Sequence, residues 1–147
     1  MNIQQDFEEL LKLLEKNNVR YMIVGGYAIA FHGYPRFTKD IDIFFLNTKE
    51  NIIKLRDALL AFGFTPESIP QKVFSEKGNI IQFGIVPVRV DLLNKIDGVS
   101  FEKAEKHIVR GRYGKTCVNF IGRVELIKNK KSSGRLQDKA DAQNLED

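Results

Sequence analysis

The sequence predicts an α/β (α+β) fold in which a short mixed β-sheet is covered by helices. Stretches with apolar residues at helical spacing recur along the chain, and short apolar runs typical of strands lie between them. The chain has 147 residues, 43% of them hydrophobic, which is the size of one ordinary globular domain. We therefore expect a single domain over residues 1–147, with an α/β core at 1–121 and a helical C-terminal extension at 122–147.

The first half of the chain alternates between helix and strand patterns. Apolar residues at helical spacing predict an amphipathic helix over residues 4–17. The run RYMIVGG is a predicted strand that stops at two glycines, and YAIAFHG is a predicted buried helix with Gly33 as its C-terminal cap. The run DIDIFFL is a second predicted strand. Thr48 is the predicted N-cap of another amphipathic helix, which ends near Gly63.

The second half of the chain begins with strand patterns and ends with helical ones. The segments KVFSE, IIQFGIV and VRVDLL predict three short strands. A short helix and a hairpin follow, and the tail predicts two further helices. The boundaries that we expect are a turn at residues 77–79, a break at Pro87, a helix start at Ser100, a hairpin turn at Gly114 and a hinge at residues 132–134.

Composition and charge narrow the classes of function. The start of the chain lacks the pattern of a secretion signal, and no segment approaches the roughly 20 apolar residues of a membrane span. We therefore expect a cytoplasmic protein with no membrane partner. The formal net charge of +4 suits an anionic ligand such as a nucleotide but does not require one. The positive charge is spread out with few aromatics between, which disfavours a basic nucleic-acid binder.

Two aspartates, Asp40 and Asp42, lie in the predicted strand DIDIFFL, which is otherwise apolar. Side chains alternate between the faces of a strand, so both carboxylates project from one face, roughly 6.6 Å apart along the strand. Ile41 and Ile43 then face the core. Two ionised carboxylates at this separation repel each other, so the pair requires either a bound cation or exposure to water. The pair alone fits both alternatives.

Two glycines, Gly25 and Gly26, stand between the first predicted strand and the helix after it. Residues without a Cβ let the backbone approach a ligand closely, and the N–H groups at a helix start attract an anion such as a phosphate. A tight turn without a ligand is the alternative. Only a short crossover, residues 27–39, separates the glycines from the aspartate pair, and within it Arg36 and Lys39 add positive charge for a nucleotide.

A third carboxylate, Asp91, lies in the predicted strand VRVDLL. Val88 and Val90 alternate there with Arg89 and Asp91, which places Asp91 on the polar face of the strand. If this strand neighbours DIDIFFL, three carboxylates converge. Oxygen ligands of this kind suit Mg²⁺, and two such ions roughly 3.5–4 Å apart can hold the attacking and leaving oxygens of a phosphoryl displacement.

Together these features resemble the DNA polymerase β-like nucleotidyltransferase superfamily. The apolar strand, the glycine pair and the DID motif between apolar residues match its signature. The longer stretch HGYPRFTKDIDIFF, Asp91 in VDLL and the tail LIKNKKSSGRLQDKADAQNL are similar to the small prokaryotic branch that includes minimal nucleotidyltransferases and AbiEii-like toxin proteins. The resemblance extends over about residues 19–145 and implies a nucleotidyltransferase fold.

The resemblance also implies a role for each residue of the site. The glycine pair would hold the nucleoside triphosphate, Asp40 and Asp42 would bind both Mg²⁺ ions, and Asp91 would bind the catalytic ion and accept the proton of the attacking hydroxyl. Lys130 and Arg135 are expected on the triphosphate; a solvated helix face is their alternative. The other matched polar positions are Arg36, Thr38, Asp138 and His32, and from the sequence alone His32 is a buried histidine that anchors a turn.

The expected function is Mg²⁺-dependent transfer of a nucleoside monophosphate from a nucleoside triphosphate to an acceptor hydroxyl, with release of pyrophosphate. The acceptor stays open between tRNA, a tyrosine or threonine of a partner toxin protein, and a small molecule such as an antibiotic. A toxin-antitoxin or phage-defence setting is a further hypothesis. The alternative is a nucleotide-binding or toxin-neutralising protein with the same fold and little turnover. Three converging carboxylates favour the enzyme.

Overall fold

The computed structural model describes residues 4–34, 38–84 and 89–146. Within these ranges, helices pack against a mixed sheet of six strands. The helices are α1 (Gln5–Lys16), α2 (Gly25–Phe31), α3 (Lys49–Phe62), α4 (Gln71–Ser75), α5 (Phe101–Glu105), α6 (Arg123–Ser132) and α7 (Leu136–Glu146). The strands are β1 (Tyr21–Val24), β2 (Asp40–Phe45), β3 (Ile80–Phe83), β4 (Arg89–Leu93), β5 (Val109–Tyr113) and β6 (Thr116–Phe120).

The strands lie in the order β3-β4-β2-β1-β6-β5. Strand β2 is antiparallel to β1 and parallel to β4, and β1 is parallel to β6. The two outer pairs, β3 with β4 and β5 with β6, are antiparallel. The predicted mixed α/β fold is therefore confirmed, and β2 and β4, which carry the predicted carboxylates, are direct neighbours.

Helix α1 has the amphipathic character that its sequence predicts. Phe7, Leu10, Leu11 and Leu14 are all buried on one face. This face packs the helix against α3 and β6. The ring of Phe7 also meets the ring of Tyr27 from α2 edge to face, with centroids 6.1 Å apart. Burial of these four apolar side chains is the main contribution of α1 to stability, since each is worth about 1.5–3 kcal/mol.

The capping residues predicted for the first helices are in place. The Asn51 N–H donates a hydrogen bond to the Thr48 hydroxyl at 3.2 Å at the start of α3. Gly63 follows the end of α3 with a φ of +130°, a value that favours glycine. Gly33 follows α2 with a φ of +100°, and its N–H donates to the carbonyl oxygen of Ala30 at 3.1 Å.

One predicted strand is wrong: residues 72–75 of the segment KVFSE lie in the short helix α4. Pro70 directly precedes the helix, and Phe74 is its one buried residue. The Phe74 ring packs edge to face against Phe45 of β2, with centroids 6.2 Å apart. One buried aromatic in five residues does not produce the alternation of apolar and polar residues that is typical of a strand. The packing of Phe74 on Phe45 therefore favours the helix here. Of the strand predicted over residues 80–86, the structure describes residues 80–84, and Pro87 lies outside the described residues.

The tail forms the two predicted helices, α6 and α7, which pack against each other, while α6 also contacts α2. Leu126 and Leu145 anchor them with at most 1% exposure each. Ser132 belongs to α6, so the break between the helices lies at residues 133–135 rather than 132–134. In the described part of the chain, no helix is both long enough and apolar enough to cross a lipid bilayer.

Candidate active site

The three predicted carboxylates lie on one face of the sheet, on two adjacent strands. In the parallel pair of β2 and β4, Asp42 is the register partner of Asp91, and Asp40 is the partner of Arg89. On its other side Asp42 pairs with Val24, the last residue of β1. The glycine turn follows Val24 directly, so the row of carboxylates ends beside that turn.

These residues share one open cavity of about 640 Å³. The glycine pair lines one wall, and Lys130 of α6 and Arg135, in the connection between α6 and α7, line another. The structure thus brings together eight of the ten residues that sequence reasoning placed in the site: Gly25, Gly26, Thr38, Asp40, Asp42, Asp91, Lys130 and Arg135. Lys39 is exposed and is not among the described residues that line this cavity. Arg36 lies outside the described residues.

The glycine turn lies in close contact with the carboxylates. Gly25 has a φ of +70°, and a Cβ at this position would come within 2.2 Å of Asp42 Oδ2. A Cβ on Gly26 would come within 2.8 Å of the Thr38 hydroxyl. The Thr38 hydroxyl in turn donates to the backbone carbonyl oxygen of Asp40 at 3.1 Å. Any side chain at either glycine would therefore occupy the space between the turn and β2.

The carboxylates of Asp42 and Asp91 lie in direct contact with each other. Burial raises the pKa of Asp42 to about 7, and the negative charge of Asp91, with which Asp42 shares a hydrogen bond, acts in the same direction. Asp91 itself is 9% exposed. Lys130 on α6 opposes this rise in the pKa of Asp42 through its positive charge. A cation placed between the two carboxylates would stabilise both in their ionised form.

Arg89 is the site residue that sequence reasoning left without a role. Its guanidinium donates through Nη2 to Asp40 Oδ2 at 2.9 Å and through Nε to Asp91 Oδ1 at 3.0 Å. The available signal was its spacing of two residues from Asp91, which places both side chains on one face. The contact with Asp40 depends on the register of β2 and β4, which the sequence pattern does not give.

The carboxylate oxygens of Asp40, Asp42 and Asp91 are suitable ligands for Mg²⁺, but Arg89 must move before an ion can bind to all three. Carboxylate oxygens are the ligands that Mg²⁺ prefers. Within the described ranges, however, no three acidic, histidine or cysteine side chains are grouped closely enough to form a ready metal centre. Since Arg89 already binds Asp40 and Asp91 as a cation, release of the guanidinium would free their oxygens for Mg²⁺ beside Asp42.

A second ion-pair cluster borders the cavity at the junction of α6 and α7. Lys130 and Asp138 are both buried, and Lys130 Nζ lies 3.2 Å from Asp138 Oδ1. Arg135 Nε contacts the other oxygen of Asp138 at 3.1 Å. Although burial opposes it, the Ser133 hydroxyl and the Lys130 charge hold the pKa of Asp138 below its usual range. Asp138 therefore fixes two cations at the wall of the cavity.

His32 lies outside the cavity, in the turn after α2. Its Nε2 donates to the backbone carbonyl oxygen of Ile121 at 2.7 Å. The side chain thus connects this turn to the end of β6, in agreement with the anchoring role expected for it. It is half-buried rather than buried.

A glycine turn beside a row of aspartates on a mixed sheet is the arrangement of a nucleotidyltransferase. The family model of the aminoglycoside-2''-adenylyltransferases matches residues 6–107, well over half of the chain, and the chain therefore belongs to this family. The match supports the predicted superfamily and the transfer of a nucleotidyl group to an acceptor hydroxyl. The matched family is one of antibiotic adenylyltransferases, so the predicted AbiEii-like branch is not supported.

A solved structure supports the same fold. The lincosamide antibiotic adenylyltransferase LnuA, in its lincomycin-bound crystal structure, superposes with a TM-score of 0.55 at 17% sequence identity. The alignment covers 99% of this chain and 98% of that chain. Among curated proteins no sequence matches. The comparisons give no support to tRNA or to a toxin protein as a partner.

Proposed function

We propose that the chain transfers the adenylyl group of ATP to a hydroxyl group of a small-molecule antibiotic, with Mg²⁺ as cofactor. The observation that carries this proposal is the row of Asp40, Asp42 and Asp91 beside the glycine turn in one open cavity. A protein that only binds nucleotide has no physical need for three carboxylates on one face of two adjacent strands. The names of the matched family and of LnuA suggest the adenylyl donor and the antibiotic acceptor.

In this proposal each wall of the cavity has its own task. The backbone at Gly25 and Gly26 holds the phosphates of ATP, because no Cβ blocks the approach. Lys130 adds positive charge from α6, and Arg135 adds it from the connection between α6 and α7. Asp40, Asp42 and Asp91 hold Mg²⁺, which when bound offsets the negative charge on the phosphate oxygens. The catalytic contribution of the chain is then mainly positioning and charge.

The transfer itself exchanges one phosphorus–oxygen bond for another. The acceptor oxygen forms a bond to the α-phosphorus, while the bond from the α-phosphorus to the oxygen that bridges to the β-phosphorus breaks. The bridging oxygen leaves as part of pyrophosphate. The proton of the acceptor hydroxyl passes to Asp91, which lies at the side of the row opposite the glycine turn.

The proposal is tested with ATP labelled at the α-phosphorus. The protein is incubated with this ATP and Mg²⁺ and, in separate reactions, with lincomycin, an aminoglycoside, tRNA and a protein extract. We expect label on a small-molecule antibiotic, and we expect the Asp91→Asn variant, which keeps the side-chain volume, to lose it. Label on RNA or protein alone, or on nothing, would contradict the proposal.

A further inference from the structure

A second cavity of about 350 Å³ lies between α5 and α6, apart from the active-site cavity that holds Asp40, Asp42 and Asp91. Pockets that bind small organic molecules have volumes of roughly 300–1,000 Å³. Among the described residues, none that lines the second cavity also lines the active-site cavity. The second cavity is therefore large enough for a small ligand of its own.

Helix α6 and the segment before α5 separate the two cavities. Lys128 of α6 lines the second cavity, whereas Asn129 and Lys130 line the active-site cavity. In the segment, residues 95–97 line the active-site cavity and residues 99 and 100 line the second one. Asn129 Nδ2 donates to the carbonyl oxygen of Asp97 at 3.0 Å and so holds the segment on α6. A ligand in the second cavity would therefore leave the space for a nucleotide open.

Part of the wall of the second cavity is apolar. Ala104 of α5 is fully buried, and Val99 is half-buried. Val124 lies in the first turn of α6 and is 73% exposed, so its side chain is open to contact from the cavity. An apolar group placed here would remove the Val124 side chain from water, which is favourable in proportion to the area covered.

The charged residues around this apolar wall are mainly basic. Lys103, Lys106 and Lys128 line the cavity, and within the described part of the chain none of them forms an ion pair. Glu125 is the one carboxylate among the described lining residues, and its Oε2 accepts a hydrogen bond from His107 Nδ1 at 2.7 Å. The cavity thus has an excess of positive charge, which attracts an anion.

We propose that the second cavity binds a small organic anion that carries one acidic group beside an aromatic or alkyl body. The body packs on Ala104 and Val124, and the acidic group lies among the three lysines. A neutral apolar compound would leave the lysines without a partner, and a polyphosphate would leave Val124 uncovered. This inference goes beyond the proposed adenylyl transfer and does not depend on it.

The first test titrates the complete chain with two fluorescent probes. One is 8-anilinonaphthalene-1-sulfonate, and the other is N-phenyl-1-naphthylamine, which has the same rings without the sulfonate. We expect one sulfonate probe to bind per chain, with a Kd at least about fivefold lower than that of the neutral probe, because the lysines attract the charge. A saturating non-hydrolysable ATP analogue with Mg²⁺ should change this Kd by less than about twofold.

Two variants test whether the probe lies in the second cavity. Lys128→Gln removes one positive charge and should raise the Kd of the sulfonate probe about three- to fivefold while leaving that of the neutral probe unchanged. Val124→Ser removes apolar contact and should raise both Kd values at least about threefold. Both side chains are exposed, so the Tm of each variant should stay at the wild-type value.

Matched controls are Lys139→Gln and Val73→Ser. Both residues are exposed, and neither is among the described residues that line the two cavities. Neither control should change the Kd of either probe.

Three results would overturn the inference. Equal binding of the two probes, or no saturable binding, would show that the lysines do not recognise the anion. Displacement of the sulfonate probe by the ATP analogue would place the probe in the active-site cavity. Unchanged Kd values in both Lys128→Gln and Val124→Ser would place it elsewhere on the chain. Adenylyl transfer is measured separately, by label from ATP, and would stand or fail independently of these results.

Discussion

Gly25 is the residue at which the turn after β1 comes closest to the carboxylates. A methyl group there would lie 2.2 Å from Asp42 Oδ2, and the φ of +70° is unfavourable for any side chain. We expect Gly25→Ala to weaken the binding of ATP at least about tenfold, because both the backbone path and Asp42 must move. Calorimetric titration with a non-hydrolysable triphosphate in the presence of Mg²⁺ measures this change.

Gly33→Ala separates backbone strain from the loss of space. Gly33 also has a positive φ, +100°, but nothing lies within 4 Å of a Cβ built there. We expect this variant to lose about 1–2 kcal/mol of unfolding free energy while its ATP affinity stays at the wild-type value. Equal loss of affinity in both variants would mean that general destabilisation, and not contact with Asp42, explains the effect.

Arg89 competes with any metal ion for the oxygens of Asp40 and Asp91. The guanidinium lies 2.9 Å from the first carboxylate and 3.0 Å from the second. Its side chain is 40% exposed, so each pair contributes no more than about 1 kcal/mol. We expect Arg89→Met to bind Mn²⁺ about five- to tenfold more tightly and, in EDTA, to unfold at a lower temperature than the wild type. Electron paramagnetic resonance of free Mn²⁺ measures the affinity.

A control for Arg89→Met is Arg112→Met, which removes an exposed arginine of β5 away from the cavity. The net charge changes equally in both variants, so a general electrostatic effect on Mn²⁺ would appear in both. Weaker Mn²⁺ binding in Arg89→Met would instead show that the arginine positions the carboxylates for the ion. Either result would be read from the same titration.

At the scale of elements, the junction of α6 and α7 depends on the buried carboxylate of Asp138. It holds Lys130 at 3.2 Å and Arg135 at 3.1 Å. We expect Asp138→Asn to lower the free energy of unfolding at pH 7 by about 2–4 kcal/mol, because Lys130 would stay buried without its counter-charge. The exposed pair of Lys131 and Glu146 on the same helices provides the control: Glu146→Gln should change stability by no more than about 0.5 kcal/mol.

The same carboxylate makes this difference depend on pH. The pKa of Asp138 in the folded chain lies below its unfolded value of about 4. Its contribution to stability is therefore complete above pH 4–5 and is lost as the pH falls through the folded value. The gap between wild type and Asp138→Asn should thus be largest at neutral pH and shrink near pH 3. Urea unfolding at both pH values measures it, and a constant gap would argue against the ion pairs.

The elements differ in how far the sequence determines them. Helix α1, the hairpin of β5 and β6 and the caps at Thr48 and Gly63 follow from local signals, namely periodicity, turn residues and hydroxyl caps. Helix α4 follows from the packing of Phe74 on Phe45, which no five-residue pattern reveals. The contact of Arg89 with Asp40 likewise spans 49 positions and depends on the register of two strands.

At the scale of the whole molecule, the order of the strands determines which residues meet at the cavity. Asp91 lies far from Gly25 and Asp42 in the chain, and the order β3-β4-β2-β1 places all three in one line. Because the chain crosses from β1 through α2 to β2, the glycine turn and the first carboxylates are close neighbours in both sequence and space. Gln82 and Ile80, which also line the cavity, join them only through the pairing of β3 with β4, so the sequence pattern alone does not place β3 beside the site.

The stability of the whole chain should report nucleotide binding separately from transfer. A ligand at about 100 times its Kd stabilises the folded state by about 2.7 kcal/mol, which for a chain of 147 residues raises Tm by about 5–10 °C. We expect this rise with a non-hydrolysable ATP analogue and Mg²⁺ in the wild type and in Asp91→Ala, and a rise of no more than about half as much in Gly25→Ala at the same concentrations, because its tenfold weaker binding leaves the ligand at about 10 times Kd. Transfer in Asp91→Ala should nevertheless fall at least about 10²-fold, since the proton acceptor is gone. Asp91→Ala without the rise in Tm would show that Asp91 takes part in holding the nucleotide and its metal ions, and a wild type without it would remove ATP as the donor.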